Sequence, residues 1–138
     1  MLRGFEHVGM TVGSIDRSLH FYVGLLGLSL VVRRRGRNGD EIAFLDCDGV
    51  MLEMVCPATG ALMAEDVALG RAGLRHLTLR FDDVDEVYRR LEAEGVEMVE
   101  APRLAHNRDI VNKIAFCRDP DGIMIELAEP ARNDVAGA

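Results

Sequence analysis

The feature that most constrains the fold of this 138-residue chain is an internal repeat. The segment Asp46–Glu53 matches the segment Asp119–Glu126 at five of eight positions, and two further positions exchange one branched aliphatic residue for another. A second pair of similar segments, His7–Val12 and His76–Phe81, follows the same order along the chain. Two matches in the same order indicate a tandem duplication, so we expect one supersecondary unit to occur twice.

Each copy predicts the same order of elements, βαβββ. In the first copy a β-rich segment at residues 5–12 precedes a helix over about 15–26, which Ser14 caps and Gly27 ends. In the second copy Asp83–Glu86 resembles a capping box at the start of an amphipathic helix. Three short strands are predicted after each helix, at about 28–35, 40–46 and 50–56 and at about 96–103, 112–118 and 123–128.

The predicted fold class is therefore α+β, with two tandem βαβββ modules that share a single domain over residues 1–138. Module one covers about 4–56 and module two about 73–130. Residues 57–72 form a connector, in which we expect a short helix near 61–69. The chain has 49% apolar and 28% charged residues, a balance typical of a folded globular protein.

Each copy also places one histidine on its first strand and one glutamate on its last strand. Both glutamates have apolar neighbours on their own strand face, where an unpaired carboxylate is costly. If the modules pack about a pseudo-twofold axis, the four side chains meet, and a divalent cation gives each of them a partner. A single strand histidine is more often a core or surface residue, so the repetition carries this prediction. The predicted ligands are His7, Glu53, His76 and Glu126.

Two imidazoles and two carboxylates favour a divalent transition metal over Ca²⁺ or Mg²⁺. We expect Zn²⁺ or Ni²⁺ first, with Co²⁺, Mn²⁺ and Fe²⁺ as alternatives. Four protein ligands on a six-coordinate ion leave two positions for adjacent substrate oxygens, and such an ion stabilises an enediolate. A glutamate at the metal could then act as the general base on the neighbouring C–H.

At these residues the sequence resembles the vicinal oxygen chelate superfamily, also called the glyoxalase/bleomycin-resistance/dioxygenase family. The resemblance covers about 3–130 and rests on the segments Phe5–Gly9, Phe21–Leu28 and Phe116–Glu126. It implies a curved mixed sheet around a metal cleft, built by the two modules and commonly found in a homodimer. The implied activity is of glyoxalase I (lactoylglutathione lyase) type, on a small-molecule substrate with vicinal oxygens.

In glyoxalase I the metal ligands are one histidine and one glutamate from each module, which matches the four residues named above. The resemblance makes Glu126 the proton-transferring residue, with Glu53 opposite it. Bacterial glyoxalase I also carries a glutathione-binding arginine on strand one and an asparagine shortly after the first glutamate. Here Thr11 holds the arginine position, and Val55-Cys56-Pro57 stands where the asparagine would be. Glutathione is therefore not implied, and the substrate stays open.

Other activities on the same scaffold stay open as well. Acyl-CoA epimerases of methylmalonyl-CoA type usually have a glutamine where Glu53 stands. Extradiol dioxygenases need Fe²⁺ with two histidines and one carboxylate, and fosfomycin-type thiol transferases are usually built on fewer carboxylates. Drug-binding proteins of bleomycin-resistance type lack a complete metal set. The four-ligand set thus favours a metal-dependent enzyme over a binding protein.

The bulk properties exclude several other functions. A net charge of −7 argues against nucleic-acid binding, and the chain has no apolar stretch of 18 residues that could span a membrane. Residues 1–7 lack the unbroken apolar run of a signal peptide, so we expect a cytoplasmic protein. The three cysteines, Cys47, Cys56 and Cys117, match no zinc or disulfide spacing and are expected to be small core or turn residues.

Three further polar features carry no firm assignment. His20 falls within the first predicted helix and is expected to be exposed or half-buried. His106 lies in a loop, where a substrate contact is one interpretation and an ordinary loop residue the favoured one. The run Arg33–Arg37 could bind a substrate carboxylate or phosphate, but the end of a solvated hairpin is the favoured interpretation.

Overall fold

The computed structural model describes residues 1–131. The chain divides into two compact units, one spanning Met1–Met63 and one beginning at Ala64, and each contains one four-stranded sheet. The α+β class and the two βαβββ modules are thereby confirmed. No helix within residues 1–131 is both long enough and apolar enough to cross a membrane.

Module one is a mixed sheet covered on one face by a short helix. Its elements are β1 (His7–Thr11), α1 (Ile15–Leu19) continued by a π-helical turn (His20–Leu25), β2 (Ser29–Arg35), β3 (Glu41–Cys47) and β4 (Val50–Cys56). The strand order is β1-β4-β3-β2, with β1 parallel to β4 and the other pairs antiparallel. The parallel pair is possible because the helix and β2–β3 form a long crossover between its strands.

The predicted helix over 15–26 is α-helical only as far as Leu19. The Ser14 hydroxyl accepts the predicted capping hydrogen bond from the Arg17 amide at 3.3 Å, and Gly27 ends the helix with φ at +90°. Between these ends the wider π turn brings two consecutive aromatic residues inward. Phe21 and Tyr22 are 2% and 0% exposed, and their rings meet edge to face at 4.9 Å.

The two faces of β3 and β4 differ in burial. Ala43 and Leu45 on β3 and Leu52 and Met54 on β4 are buried on the face that α1 contacts. The alternate residues, including Phe44 and Glu53, are half-buried on the opposite face. The period of two residues along each strand therefore separates an apolar core from a face that carries the predicted ligand.

Module two repeats this plan with a regular α-helix. Its elements are β5 (Leu77–Arg80), α2 (Val84–Ala93), β6 (Met98–Leu104), β7 (Val111–Arg118) and β8 (Met124–Pro130). The strand order is β5-β8-β7-β6, with β5 parallel to β8. The Asp83 carboxylate accepts a hydrogen bond from the Glu86 amide at 2.9 Å, which is one of the two bonds of the predicted capping box. Val84, Val87 and Leu91 form the buried face of α2.

The two repeated Asp-x-Asp-Gly segments form tight turns before the last strand of each module. Asp48 and Gly49 have φ values of +53° and +88°, which a two-residue hairpin turn of this kind requires. In module two the buried Asp119 carboxylate accepts hydrogen bonds from the amides of Asp121 and Ile123, both at 2.9 Å. Each turn sets the register in which the last strand of its module pairs with the strand before it.

Two details of the predicted secondary structure were wrong. Residues 61–69 form no helix, and the large side chains of Leu62, Met63 and Leu69 remain exposed, so the stretch has no continuous packing face. His76 lies immediately before β5 rather than on it, since the ladder with β8 begins at Leu77. The three cysteines are free thiols, with Cys117 buried and the other two half-buried.

Candidate functional site

In module one the structure brings together the predicted histidine and glutamate. The Nε2 atom of His7 lies 3.2 Å from Oε2 of Glu53, and the side chains are 40% and 25% exposed. The parallel ladder produces this contact, because it places Gly9 opposite Glu53 and leaves His7 two residues away on the same face. The pair sits on the half-buried face of the sheet, accessible to an incoming group.

The other nitrogen of the His7 ring is also engaged. Nδ1 is hydrogen-bonded to the carboxylate of Glu6, and this bond is the main reason why the pKa of His7 is raised above its ordinary value. A carboxylate on one imidazole nitrogen commonly orients the ring so that the other nitrogen can bind a metal. Because Glu6 occupies Nδ1, the nitrogen of His7 that faces Glu53 is Nε2.

Module two repeats the contact more tightly. His76 Nε2 lies 2.9 Å from Glu126 Oε2, with the side chains 30% and 14% exposed. The same carboxylate oxygen accepts a hydrogen bond from the Thr78 hydroxyl at 2.7 Å. Thr78 stands opposite Glu126 in the parallel ladder, as Gly9 stands opposite Glu53. The second glutamate is consequently held by a side chain that the first glutamate lacks.

A phenylalanine ring packs against the histidine of each pair, and neither phenylalanine was predicted from the sequence. The His7 ring meets Phe44 edge to face at 5.9 Å, and the His76 ring meets Phe116 in the same way at 5.6 Å. Each phenylalanine is also the antiparallel ladder partner of the glutamate in its module. The signal was present in the sequence as the tripeptide Ile-Ala-Phe, which occurs at residues 42–44 and again at 114–116.

The donor atoms of each pair suit a divalent transition metal, because an imidazole nitrogen and a carboxylate oxygen already lie on one side of a sheet. Each pair supplies two such donors. Within residues 1–131 no group of three or more histidine, cysteine, aspartate or glutamate side chains forms a metal site. The structure thus forms the two predicted pairs, and a four-ligand centre stays a prediction.

An open cavity of about 260 Å³ borders His76 of module two. Four of its eight lining residues are apolar or aromatic: Val67, Val99, Phe116 and Met124. The other four are polar or charged: Asp66, Arg75, His76 and Glu100. A small ligand in this cavity would contact His76 at one wall and apolar side chains at another.

The remaining polar features of the sequence lie apart from these pairs. His20 and His106 are exposed, as expected for the first and as favoured for the second. Arg33 bridges two acidic residues of its own module, with Nη1 2.6 Å from Asp16 Oδ1 and Nη2 2.8 Å from Glu41 Oε2. These ion pairs support a structural role for the arginine run at the end of the hairpin.

Comparison with known proteins gives consistent matches over almost the whole chain. A sequence model of the Glyoxalase/Bleomycin resistance protein/Dioxygenase superfamily matches residues 4–127. Lactoylglutathione lyase from Neisseria meningitidis serogroup A is 31% identical over 134 residues, which cover 93% of this chain and 91% of that protein.

Solved structures show the same fold. The glyoxalase family protein from Enterococcus faecalis superimposes with a TM-score of 0.74 at 26% identity, covering 92% of this chain and 98% of the other. TnmS3, an antibiotic binding protein from Streptomyces sp. CB03234, superimposes with a TM-score of 0.67 at 25% identity, covering 94% and 97%. This chain is therefore similar both to a protein named as an enzyme and to a protein named as a ligand-binding protein.

Proposed function

The chain belongs to the glyoxalase/bleomycin resistance protein/dioxygenase superfamily, and on that premise we propose that it is a divalent-metal-dependent enzyme of the glyoxalase I type. The observation that carries the proposal is the duplicated pair, in which each module holds an imidazole nitrogen about 3 Å from a carboxylate oxygen. Similarity to a lactoylglutathione lyase over nearly the full chain supports it. A protein that only binds a ligand has no need for this donor set in both modules.

The proposed ligands of the ion are His7, Glu53, His76 and Glu126, with Zn²⁺ or Ni²⁺ as the favoured metals. We expect the protein to work as a homodimer in the cytoplasm, on a small-molecule substrate with vicinal oxygens. When bound, such an ion supplies a Lewis acid that withdraws electron density from a carbonyl oxygen. The side chains around it must then position the substrate and move a proton.

Glu126 is the residue we assign to the proton transfer. Its carboxylate takes a proton from the carbon next to the carbonyl group and returns it to the former carbonyl carbon, while the hydroxyl proton passes from one oxygen to the other, so the overall reaction is an isomerisation. Thr78 and His76 both contact Oε2 of Glu126, which fixes the orientation of the carboxylate. Glu53 holds the matching place in module one and is the second candidate for this role.

The substrate we propose is a hemithioacetal whose thiol component is not glutathione. The strand position that binds glutathione in bacterial glyoxalase I holds Thr11 here, an exposed residue without a charge. A hydroxyl at this position cannot neutralise a substrate carboxylate as a guanidinium does. We therefore expect glutathione to be a poor thiol component for this chain.

Metal analysis and an activity screen test the proposal together. Purified protein is incubated with Ni²⁺ or Zn²⁺, dialysed and analysed for metal, and is then assayed with hemithioacetals of several thiols and with acyl-CoA esters. We expect about one ion per proposed site and isomerisation of at least one hemithioacetal. Activity on acyl-CoA esters alone would favour the epimerase alternative.

A binding protein is the second candidate function, because the likeness to the antibiotic binding protein TnmS3 covers nearly all of both chains. The two candidates differ in their need for metal. Protein that stays metal-free after incubation with Ni²⁺ or Zn²⁺, and that shows no turnover, would replace the enzyme proposal with this one.

A further inference from the structure

We propose that Arg75 binds a carboxylate group of the substrate in the cavity beside His76. The inference rests on the proposed function, since it assigns a substrate class to the same site. It makes Arg75 a residue that determines specificity, because its contact with the substrate lies away from the reacting carbon.

Both acidic residues of the cavity wall are already neutralised by arginines. Asp66 is held by Arg118 through two bonds of 2.8 Å, from Nη1 to Oδ1 and from Nη2 to Oδ2. Glu100 accepts a hydrogen bond from Nε of Arg103. Neither carboxylate therefore presents a full negative charge to a ligand, and each is less able to repel an anion.

Arg75 is the remaining charged side chain of the wall. Within residues 1–131 its guanidinium makes no hydrogen bond or ion pair, although it lines the cavity next to His76. A guanidinium presents two parallel N–H groups that match the two oxygens of a carboxylate. Among residues 1–131, Arg75 is thus the arginine of the lining without a partner, and its exposed side chain is accessible to an anionic ligand.

Arg75 occupies the position in module two that Glu6 occupies in module one. Arg75 precedes His76 as Glu6 precedes His7, and Glu6 hydrogen-bonds the ring of its neighbour. A guanidinium has no acceptor atom and cannot bind an imidazole N–H in this way. Arg75 therefore cannot orient the ring of His76 as Glu6 orients the ring of His7.

The other lining residues and the cavity volume indicate the polarity and size of the rest of the substrate. Val67, Val99 and Met124 offer apolar surface beside the guanidinium. The volume of about 260 Å³ lies slightly below the range of about 300–1,000 Å³ that is usual for drug-sized ligands. The favoured substrate is consequently a small adduct of a carboxylated thiol with a short apolar portion.

A pair of unreactive probes tests the assignment by binding alone. N-acetyl-S-propylcysteine carries the carboxylate, and its amide has nearly the same shape without the charge. Isothermal titration of the full chain should show that the acid binds more tightly than the amide. Arg75→Met should weaken the acid by about tenfold, the usual effect of losing a charge-assisted hydrogen bond, and leave the amide within twofold. Arg75→Lys should be intermediate, because an ammonium keeps the charge but loses the paired geometry.

Arg89→Met is the matched control, since Arg89 is an exposed arginine of the same module outside the cavity lining. It should leave the binding of both probes unchanged. Equal affinity of wild-type protein for acid and amide, or an unchanged affinity of the acid in Arg75→Met, would overturn the inference. Stronger Arg75-dependent binding of inorganic phosphate than of the acid would overturn the carboxylate assignment. The Arg75→Lys variant decides the matter if Arg75→Met does not fold.

The outcome is separable from that of the proposed function. Turnover of hemithioacetals without discrimination between the two probes would remove only this inference. Arg75-dependent binding of the acid in a protein that binds no metal and turns nothing over would remove the enzyme proposal and leave the carboxylate site.

Discussion

The hydroxyl of Thr78 donates a hydrogen bond to the carboxylate of Glu126, with Oγ1 2.7 Å from Oε2. Gly9, which stands opposite Glu53 in module one, has no side chain that could do the same. The duplicated site is therefore asymmetric, with one glutamate held in place and the other restrained less.

Removing the hydroxyl should weaken metal binding. We expect Thr78→Val to lower the affinity for Ni²⁺ about 3- to 10-fold, because the carboxylate of Glu126 loses a hydrogen bond that orients it. The affinity is measured by competition with a chelator. Thr11→Val, on the first strand of the other module, is the control and should have no effect.

Adding a hydroxyl at Gly9, the matching position of module one, should have the opposite effect on metal binding. A Cβ added at Gly9 meets no atom within 4 Å, so Gly9→Thr has room for its side chain. We expect this variant to bind Ni²⁺ more tightly than the wild type, because its hydroxyl can hold Glu53 as Thr78 holds Glu126. Equal affinities of Thr78→Val, Gly9→Thr and the wild-type protein would show that these positions do not orient the glutamates.

Glu126→Gln should separate proton transfer from metal binding. An amide can still donate an oxygen to an ion but cannot take up a proton, so we expect turnover to fall by about 10²- to 10⁴-fold while some metal remains bound. Rates on the best hemithioacetal and the metal content of the same sample give the two readouts. Full activity in this variant would contradict the role assigned to Glu126, and a loss confined to Glu53→Gln would transfer that role to Glu53.

Cys117 should behave differently from the other two thiols. Burial, assisted by the negative charge of Asp119, raises the pKa of Cys117 to about 12. We expect a thiol reagent at pH 8 to modify only Cys47 and Cys56 in the native protein, and all three cysteines after unfolding in guanidinium chloride. Reaction of three thiols without denaturant would show that this part of the core opens readily.

The same shift predicts how the protein responds to alkali. The unfolded thiol ionises near its ordinary pKa of 9.0 while the folded thiol stays protonated up to about 12. The free energy of unfolding should therefore fall as the pH rises between these values, by at most about 1.4 kcal/mol per pH unit. Cys117→Ala should lose this part of the slope, which urea unfolding at several pH values would measure.

Asp66 ties the connector to β7 through its two bonds with Arg118. We expect Asp66→Asn to speed trypsin cleavage after Arg71, because the connector loses this attachment. Global stability should change little, since the Asp66 side chain is 54% exposed and solvent weakens its ion pair. Cleavage products are followed by mass spectrometry, with the neighbouring Glu65→Gln as the control.

The attachment also has a defined pH dependence. Arg118 lowers the pKa of Asp66 below its ordinary value of 3.8. The contribution of this pair is therefore complete above that value and is lost as the pH falls through the lower, folded-state pKa. At the lowest pH at which the protein stays folded, an acid protease should cleave the connector of the wild type and of Asp66→Asn at the same rate.

The repeat made the order of elements along the chain predictable, as βαβββ twice. Two copies of an Asp-x-Asp-Gly turn, each followed by an apolar strand with a glutamate at its centre, define the last hairpin of each module. Strand alternation also showed that each glutamate has apolar neighbours on its own strand face, whereas the contact between each histidine and its glutamate depends on the parallel ladder seen in the structure. The turns and the strand alternation are local patterns, which a sequence displays directly.

The parts that escaped prediction depend on ladder register or on differences between the copies. Phe44 and Phe116 reach the histidine rings because of the register of β3 and β7, which no single strand reveals. Thr78 and Arg75 stand where module one has Gly9 and Glu6, so a search for identity between the copies passes over them. A comparison of the unequal positions would have found both.

The π turn of module one has a consequence for any attempt to exchange the two halves of the gene. Phe21 and Tyr22 are both buried, whereas the matching residues of module two are Arg90, which is exposed, and Leu91, which is buried. Grafting the regular helix of module two into this place would put a charged side chain where the buried Phe21 packs. The two halves share one order of elements, yet each is packed around its own helix.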